Sequence, residues 1–549
     1  MSHPRHILER VERLYSYHQR SKLLAMGPRV GAPADPAYRP AAFRVFFNAP
    51  KVTLPTTLLD APIPMLNLLS AGQEAVPDSL RAPPQDLKTL ASWLYYAAGE
   101  TKRSVGRSVT WNRTFPEADA LSPTEIYVAI FALDGIEPGL YHFCPREFSL
   151  RKLREGVETL LQIKKGRPDL EFLKTVPAVI LVGANYWRAV YRYGLRGYRT
   201  MLLDVGQMVQ NLVAAGAGLG AQTVTRLRMN DTTLRELIGC PFDEPLGTAE
   251  SVLAMVAWAD PAATPMAVPK GASAGTLPPI VRAELSLKVT EDPASSEPLV
   301  VHHDCIDPGV AVRELRPPLT ELSPMPVDFP VTDIRMVRDA DGGWPVRQAM
   351  LQRRAGATLA RHPIRRVDLL SINRVTFRGG SFFPMYPDGP QLACVRPFWI
   401  VHDVVGIDHG IWYYHPPADT WSRLNTGTYR REAKYIAGDR KCFGEGSAVC
   451  VMVSNLHNLM TAGGPDAYRL AHLEAGIATQ RLYLAATSLN LVCLASQDFY
   501  DEDARNFLGL GKTGWEVLSV VAVGTLASPA EALREQKANA LGQVGLWNG

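Results

Sequence analysis

The chain repeats itself. Residues 198–220 (YRTMLLDVGQMVQNLVAAGAGLG) and 468–490 (YRLAHLEAGIATQRLYLAATSLN) align with Tyr198 on Tyr468, Arg199 on Arg469, Gly206 on Gly476, Gln210 on Gln480 and Leu219 on Leu489. Each pair is separated by 270 positions. A second echo, Gly135-Ile136-Glu137-Pro138-Gly139-Leu140-Tyr141 against Gly406-Ile407-Asp408-His409-Gly410-Ile411-Trp412, keeps almost the same offset, 271. A near-constant offset across separate elements means a duplicated domain. A fold that normally pairs with a second copy can then pair within one chain, with its halves free to diverge.

Each half mixes strand-type and helix-type segments, so the predicted class is α+β. In the first half, the periodicity predicts helices over 6–26, 87–98 and 151–163, strands over 126–133, 178–182 and 252–258, and a long helix near 196–216. In the second it predicts a helix near 346–355, strands over 398–404, 448–453 and 517–523, a turn at 406–410 and a long helix at 466–487. A long helix apolar on most sides is buried, which suits the centre of a two-fold pair. Residues 263–330 are rich in Pro, Ala and Ser and read as a connection. The expected division is therefore 1–262, 263–330 and 331–549.

Length allows two large domains: 549 residues, 46% hydrophobic and 20% charged, is ordinary globular material. A net charge of +4 with scattered basic residues argues against a nucleic-acid partner. Seven cysteines without CxxC spacing suggest reduced thiols in a cytoplasmic setting. His302-His303-Asp304-Cys305 has no second ligand pair at useful spacing, so a loop or strand end is the expectation and no metal is predicted. No apolar run reaches membrane-spanning length, so no membrane partner is expected.

The chemistry-bearing stretch is Tyr191-Arg192-Tyr193-Gly194-Leu195-Arg196-Gly197-Tyr198-Arg199. It offers a phenol able to move a proton and guanidinium groups suited to a phosphate or a ring carbonyl. Spacing alone favours a charged helix-start loop.

The segment resembles the signature of the SagB/ThcOx-type dehydrogenases, a branch of the FMN-dependent nitroreductase superfamily. That signature runs Lys-Tyr-Gly-x-Arg-Gly-Tyr-Arg, then Glu-x-Gly-x-x-x-Gln-Asn. Here stand Tyr193-Gly194-x-Arg196-Gly197-Tyr198-Arg199 and Asp204-x-Gly206-x-x-x-Gln210-Asn211. Tyr17-His18-Gln19-Arg20-Ser21-Lys22, Arg113-Thr114-Phe115-Pro116, Glu125-Ile126-Tyr127-Val128 and Pro138-Gly139-Leu140-Tyr141 follow the family in order. The resemblance implies two tandem nitroreductase-like domains forming an intrachain pseudo-dimer. It also implies an FMN enzyme oxidising thiazolines or oxazolines to thiazoles or oxazoles in a ribosomally made peptide. The implied partners are the modified precursor peptide and a cyclodehydratase complex, and the pseudo-dimer could pair again as a homodimer.

By the same carry-over Tyr193 and Arg192 are the catalytic candidates. His18, Ser21, Lys22, Arg113, Arg196 and Arg199 are the cofactor-side candidates. Ser21 and Lys22 could instead cap and solvate the first helix. From the second half, Arg378 and Ser381 in Arg378-Gly379-Gly380-Ser381 could meet a phosphate or flavin edge, or form a plain turn. The family's Lys is Arg192 here, and arginine stays protonated, so Tyr193 is left to carry the proton. The family's Pro-Ser-x-Gly loop is Pro116-Glu117-Ala118-Asp119. Positions 270 beyond Arg192 and Tyr193 are Ala462 and Gly463, so the second half lacks the pair. Arg353-Arg354-Ala355-Gly356-Ala357 matches only the start of the superfamily's Arg-Arg-Ser-x-Arg phosphate motif. One flavin per chain is the expectation. The alternatives are another FMN oxidoreductase of natural-product biosynthesis, or a flavin-free scaffold in a maturation complex.

Overall fold

In the computed structural model, the described residues are 3–25, 39–41, 44, 46–105, 109–116, 121–156, 163–164, 168–229, 231–240, 249–259, 334, 342–353, 358–378 and 394–528. The connection at 263–330, the His302–Cys305 cluster and Ser381 lie outside them. Among the described residues no helix is long and apolar enough to cross a membrane.

The first half comprises α1 (His3–Arg20), β1 (Lys51–Thr53), α2 (Met65–Ala71), α3 (Leu87–Ala98), β2 (Glu100–Val105), β3 (Val109–Arg113), β4 (Thr124–Ile130), β5 (Gly139–Cys144), β6 (Ser149–Glu155), β7 (Ala178–Asn185), α4 (Tyr186–Tyr193), α5 (Gly197–Gly218), β8 (Gln222–Arg226), α6 (Asp231–Ile238) and β9 (Glu250–Ala259). The second comprises α7 (Val346–Gln352), β10 (Leu359–Ala360), β11 (Ile364–Arg365), α8 (Arg366–Phe377), β12 (Arg396–Val401), β13 (Val404–Val405), β14 (Gly410–His415), β15 (Thr420–Thr426), α9 (Arg430–Ile436), α10 (Lys441–Glu445), β16 (Ala448–Ser454), α11 (Leu456–Gly463), α12 (Asp466–Ser488), β17 (Val492–Ser496), α13 (Asp501–Phe507) and β18 (Glu516–Leu526).

Six strands of each sheet repeat in the same order, whereas β1 beside β6 and β10 beside β18 do not correspond. One sheet runs β6-β5-β4-β7-β9-β8 and the other β15-β14-β12-β16-β18-β17, antiparallel throughout. Bulges recur at matched places, Leu140/Tyr141 with Ile411/Trp412 and Val182/Gly183 with Met452/Val453. Gly135 and Gly406 turn the hairpins at φ +85° and +76°, a backbone that side-chain-bearing residues rarely adopt.

At the centre α5 crosses α12, and both are buried over nearly their whole length. They meet at the repeated glycines: a Cβ on Gly206 would stand 2.1 Å from the Leu473 carbonyl and 3.0 Å from Gly476 Cα. Close contact permits hydrogen bonds across the pair, Gln480 Nε2 to Asn211 Oδ1 at 2.6 Å and Arg481 Nε to Gln210 Oε1 at 2.9 Å. One apolar core therefore runs through both halves, and each sheet buries a smaller core on its outer face. The halves form the expected intrachain pseudo-dimer.

Their N-terminal segments also cross over. Pro64 pairs with Pro345, the Met65 amide donates to the Trp344 carbonyl (2.9 Å), and the Val346 amide donates to the Ile63 carbonyl (2.9 Å). Leu23, just after α1, pairs with Tyr500 of the second half.

One element differs from the expectation. The predicted helix over 151–163 is, over its described start, strand β6. Leu150 and Leu153 bury on opposite faces of the sheet, in the central and outer cores respectively.

Candidate functional site at the seam of the two halves

The turn bearing Tyr193 is built by two glycines. Asn185 caps α4 by accepting the Arg188 amide at 3.1 Å, and Gly194 stops the helix at φ +52°. A single 3-10 turn, Gly194–Arg196, leads into α5. Its first residue must be small, because a Cβ on Gly197 would meet the Ala189 backbone at 2.8 Å. Tyr193 is buried, with the Arg192 guanidinium 5.4 Å above its ring.

Five of the predicted residues come together directly behind this turn. Arg196 and Arg199 share one carboxylate of the second half, Asp501: Arg196 Nη1 to Oδ2 at 2.6 Å and Arg199 Nη2 to Oδ1 at 2.6 Å. The Arg196 Nε also donates to the Gln497 carbonyl at 2.8 Å. Ser21 turns its hydroxyl back to the His18 carbonyl, and its own carbonyl lies 3.4 Å from Arg196 Nη1. Lys22 Nζ lies between Glu502 (2.5 Å) and Glu516 (2.8 Å). His18 Nδ1 meets the Tyr468 hydroxyl at 3.1 Å. Glu516, 1% exposed, also takes the Tyr15 hydroxyl and the Gln19 amide.

The other predicted residues stand apart from this cluster. Arg113, at the end of β3, donates from Nε to the Ala98 carbonyl (3.1 Å) and lies over Phe115. Arg378 ends α8 and is ion-paired with Asp419 at 2.8 Å. Arg353, from the second half, reaches the first: its Nε and Nη2 donate to the carbonyls of Thr114 (2.8 Å) and Arg113 (2.9 Å).

Arg353 also lies over the Tyr483 ring at 5.5 Å, and the Tyr483 hydroxyl accepts the Ala495 amide at 2.8 Å. Ala495 is two residues before Gln497, the Arg196 contact. Two residues span at most about 7 Å, so the end of β17 links Arg353 to the Tyr193 turn.

The nitroreductase family model matches residues 89–257 and 420–525, together half of the chain. The chain belongs to the nitroreductase family. A Methanocaldococcus jannaschii protein described as a nitroreductase is 31% identical over 158 residues, which are 28% of this chain and 75% of that protein. A nitroreductase structure from Anabaena variabilis matches 94% of this chain and 99% of its own with a TM-score of 0.70 at 21% identity, so the two-half fold recurs entire. A chain of the E. coli microcin synthetase McbBCD complex with truncated pro-MccB17 bound covers 46% of this chain and 93% of its own at 15% identity, with a TM-score of 0.28, too low to carry an argument.

Nitroreductase-family proteins are in general flavin-dependent oxidoreductases, and the phosphate of FMN sets a requirement on any residues that would hold it. A phosphate needs cations not already matched by carboxylates. The seam cluster fails that test: Lys22, Arg196 and Arg199 are each paired with Asp501, Glu502 or Glu516. On the Arg353 side of the same strand end the contacts differ in kind. There two neutral carbonyls fix the Arg353 fork, and the buried Thr114 Oγ1 has no hydrogen-bond partner among the described residues. These groups fit an anionic, hydrogen-bonding cofactor.

Sequence reasoning missed Asp501 and Glu516 as site residues. The only signal was indirect: buried cations require carboxylates from somewhere.

The cluster also makes a pH prediction. Burial first, then Arg199, pushes His472 down to about 3 and His18 well below its ordinary value. Both imidazoles are therefore neutral in the fold, while an unfolded histidine charges near pH 6.5. The unfolded chain binds more protons at these two histidines in this range, so their contribution to stability is complete above about pH 6.5 and is lost as pH falls toward about 3. Urea unfolding across that range should show a steeper loss for the wild type than for His472→Gln. Equal slopes would remove His472 from the account.

Proposed function

We propose that this nitroreductase-family chain is an FMN-dependent dehydrogenase that oxidises thiazoline or oxazoline rings of a ribosomally made peptide to thiazoles or oxazoles. The observation that carries the reading is the seam itself. The Tyr193–Arg199 turn contacts the second half two residues from the strand position that supports Tyr483 beneath Arg353.

FMN, when bound, supplies the acceptor for the hydride that aromatisation removes. Arg353 and Thr114, with Arg113 beside them, would hold it. Tyr193, in its phenolate form, takes the proton from the ring carbon. Arg192 stays protonated and steadies an anionic or carbonyl group of the substrate. A precursor peptide carrying the rings, and the cyclodehydratase that makes them, are the partners this chemistry requires. On this reading 1–262 bears the catalytic pair, 263–330 connects, and 331–549 completes the cofactor site.

The test has two stages. Purified protein is loaded with FMN and its flavin content measured, then given a thiazoline-bearing peptide. The reading expects about one flavin per chain and a product lighter by two hydrogens. Flavin uptake without that mass change would point to another FMN oxidoreductase. The carboxylates that occupy the seam cluster favour a second reading, a flavin-free scaffold for the maturation complex. Failure to take up FMN would leave that reading standing.

A further inference from the structure

We infer that Asp501, on the half that lacks the catalytic pair, is the positioning residue for the Tyr193 turn. The inference rests on the reading of Tyr193 given above.

The turn cannot brace itself. Gly194 follows Tyr193 with a left-handed backbone, and Gly197 begins α5 without a side chain. Between them only Leu195 and Arg196 carry side chains, and it is Arg196 that reaches the second half. Its head is fixed by Asp501 at 2.6 Å, by the Gln497 carbonyl at 2.8 Å and by the Phe499 ring at 4.3 Å. The second Asp501 oxygen takes Arg199 in the first turn of α5. The carboxylate also accepts the Leu23 amide at 2.9 Å, while the Asp501 amide donates to the Leu23 carbonyl. One buried carboxylate thus ties three first-half segments: the end of α1, the 3-10 turn and the start of α5.

The arrangement has the character of a charge-assisted fork at negligible exposure: Asp501 is 1% exposed and both arginines 2%. Burial alone would raise the Asp501 carboxyl, but Arg196 and Arg199 outweigh it and keep it ionised. Removing the carboxylate would strand two buried guanidiniums. The residues that would have been a cofactor clamp in the first half have instead become the anchor for an internal anion. The second half, with Ala462 and Gly463 where the pair would stand, supplies that anion. This accounts for a duplicated half that contributes no proton-transfer group of its own.

Misplacing a reacting group by about 1 Å costs on the order of 100-fold in rate. Asp501→Glu keeps the charge and moves the carboxylate by one methylene. Asp501→Asn removes the charge. In FMN-loaded protein, the inference expects Asp501→Glu to lower kcat on a thiazoline peptide by about 10- to 100-fold. KM, flavin content and melting temperature should stay near wild type, and Asp501→Asn should lose more. A wild-type kcat in Asp501→Glu, or a loss that merely follows flavin content or melting temperature, would overturn it.

Hydrogen exchange read by mass spectrometry keeps the test independent of the reaction. Amides of residues 193–199 should exchange at least 10-fold faster in Asp501→Glu than in wild type, with the α12 amides unchanged. If the wild type oxidises no azoline yet the exchange difference appears, the reading of the reaction fails and the anchor stands. If exchange at 193–199 is unchanged, the anchor fails whatever the reaction proves to be.

Discussion

Phenylalanine at position 193 is expected to reduce azole formation by about 10²- to 10⁴-fold, the range over which a positioned acid–base group accelerates proton transfer. The substitution is small by every structural measure. It keeps the buried ring and its face toward the Arg192 guanidinium, 5.4 Å away. It leaves Gly194 and Gly197 to form the same turn, and it does not touch the Arg196–Asp501 pair. Flavin content and melting temperature should therefore match the wild type, and the loss should fall on kcat with KM for the peptide little changed. Arg192 cannot stand in, since a guanidinium holds its proton at any working pH. Full turnover in Tyr193→Phe would remove the phenol from the reaction and leave the seam without a proton acceptor. A variant that lost its flavin as well would show that Tyr193 is structural.

The duplicated architecture was legible because it rests on residues that leave a periodic trace. Gly206 and Gly476 recur because two backbones touch there, and Gly135 and Gly406 recur because a positive φ recurs. The predicted helix over 151–163 begins as strand β6, where Leu150 and Leu153 stand three apart, a spacing shared by one helix face and by the two faces of a sheet. At the site, residue type was informative on one side only. His18, Ser21, Lys22, Arg196 and Arg199 do converge, but their partners Asp501, Glu502 and Glu516 lie about 300 or more positions away among many unremarkable acids. Arg353 was visible as a fragment of a phosphate motif. Its placement against the first half was not, because the groups it binds are the carbonyls of residues 113 and 114, which any residue could supply.

At the centre of the molecule, Gly206→Ala is expected to destabilise the fold by about 3 kcal/mol, the upper part of the usual overpacking range. The sign is the informative part. In an exposed helix the same change stabilises by roughly 1 kcal/mol, because alanine is the better helix former. Here the new methyl would stand 2.1 Å from the Leu473 carbonyl and 3.0 Å from Gly476 Cα, backbone atoms that no rotamer change can move. The helices must separate, and the bonds from Gln480 to Asn211 and from Arg481 to Gln210 lengthen with them. Each buried polar group that loses its partner adds a further cost of about 1–3 kcal/mol. Gly476→Ala should behave alike, since its methyl would meet the Leu203 carbonyl at 2.2 Å. The double variant provides the sharper test. Once one methyl has parted the helices, the second enters space already opened, so the combined loss should be smaller than the sum of the two. Urea unfolding of the three variants measures all of this. A stabilised Gly206→Ala, or strictly additive losses, would mean that the two glycines are not the contact on which the halves pivot.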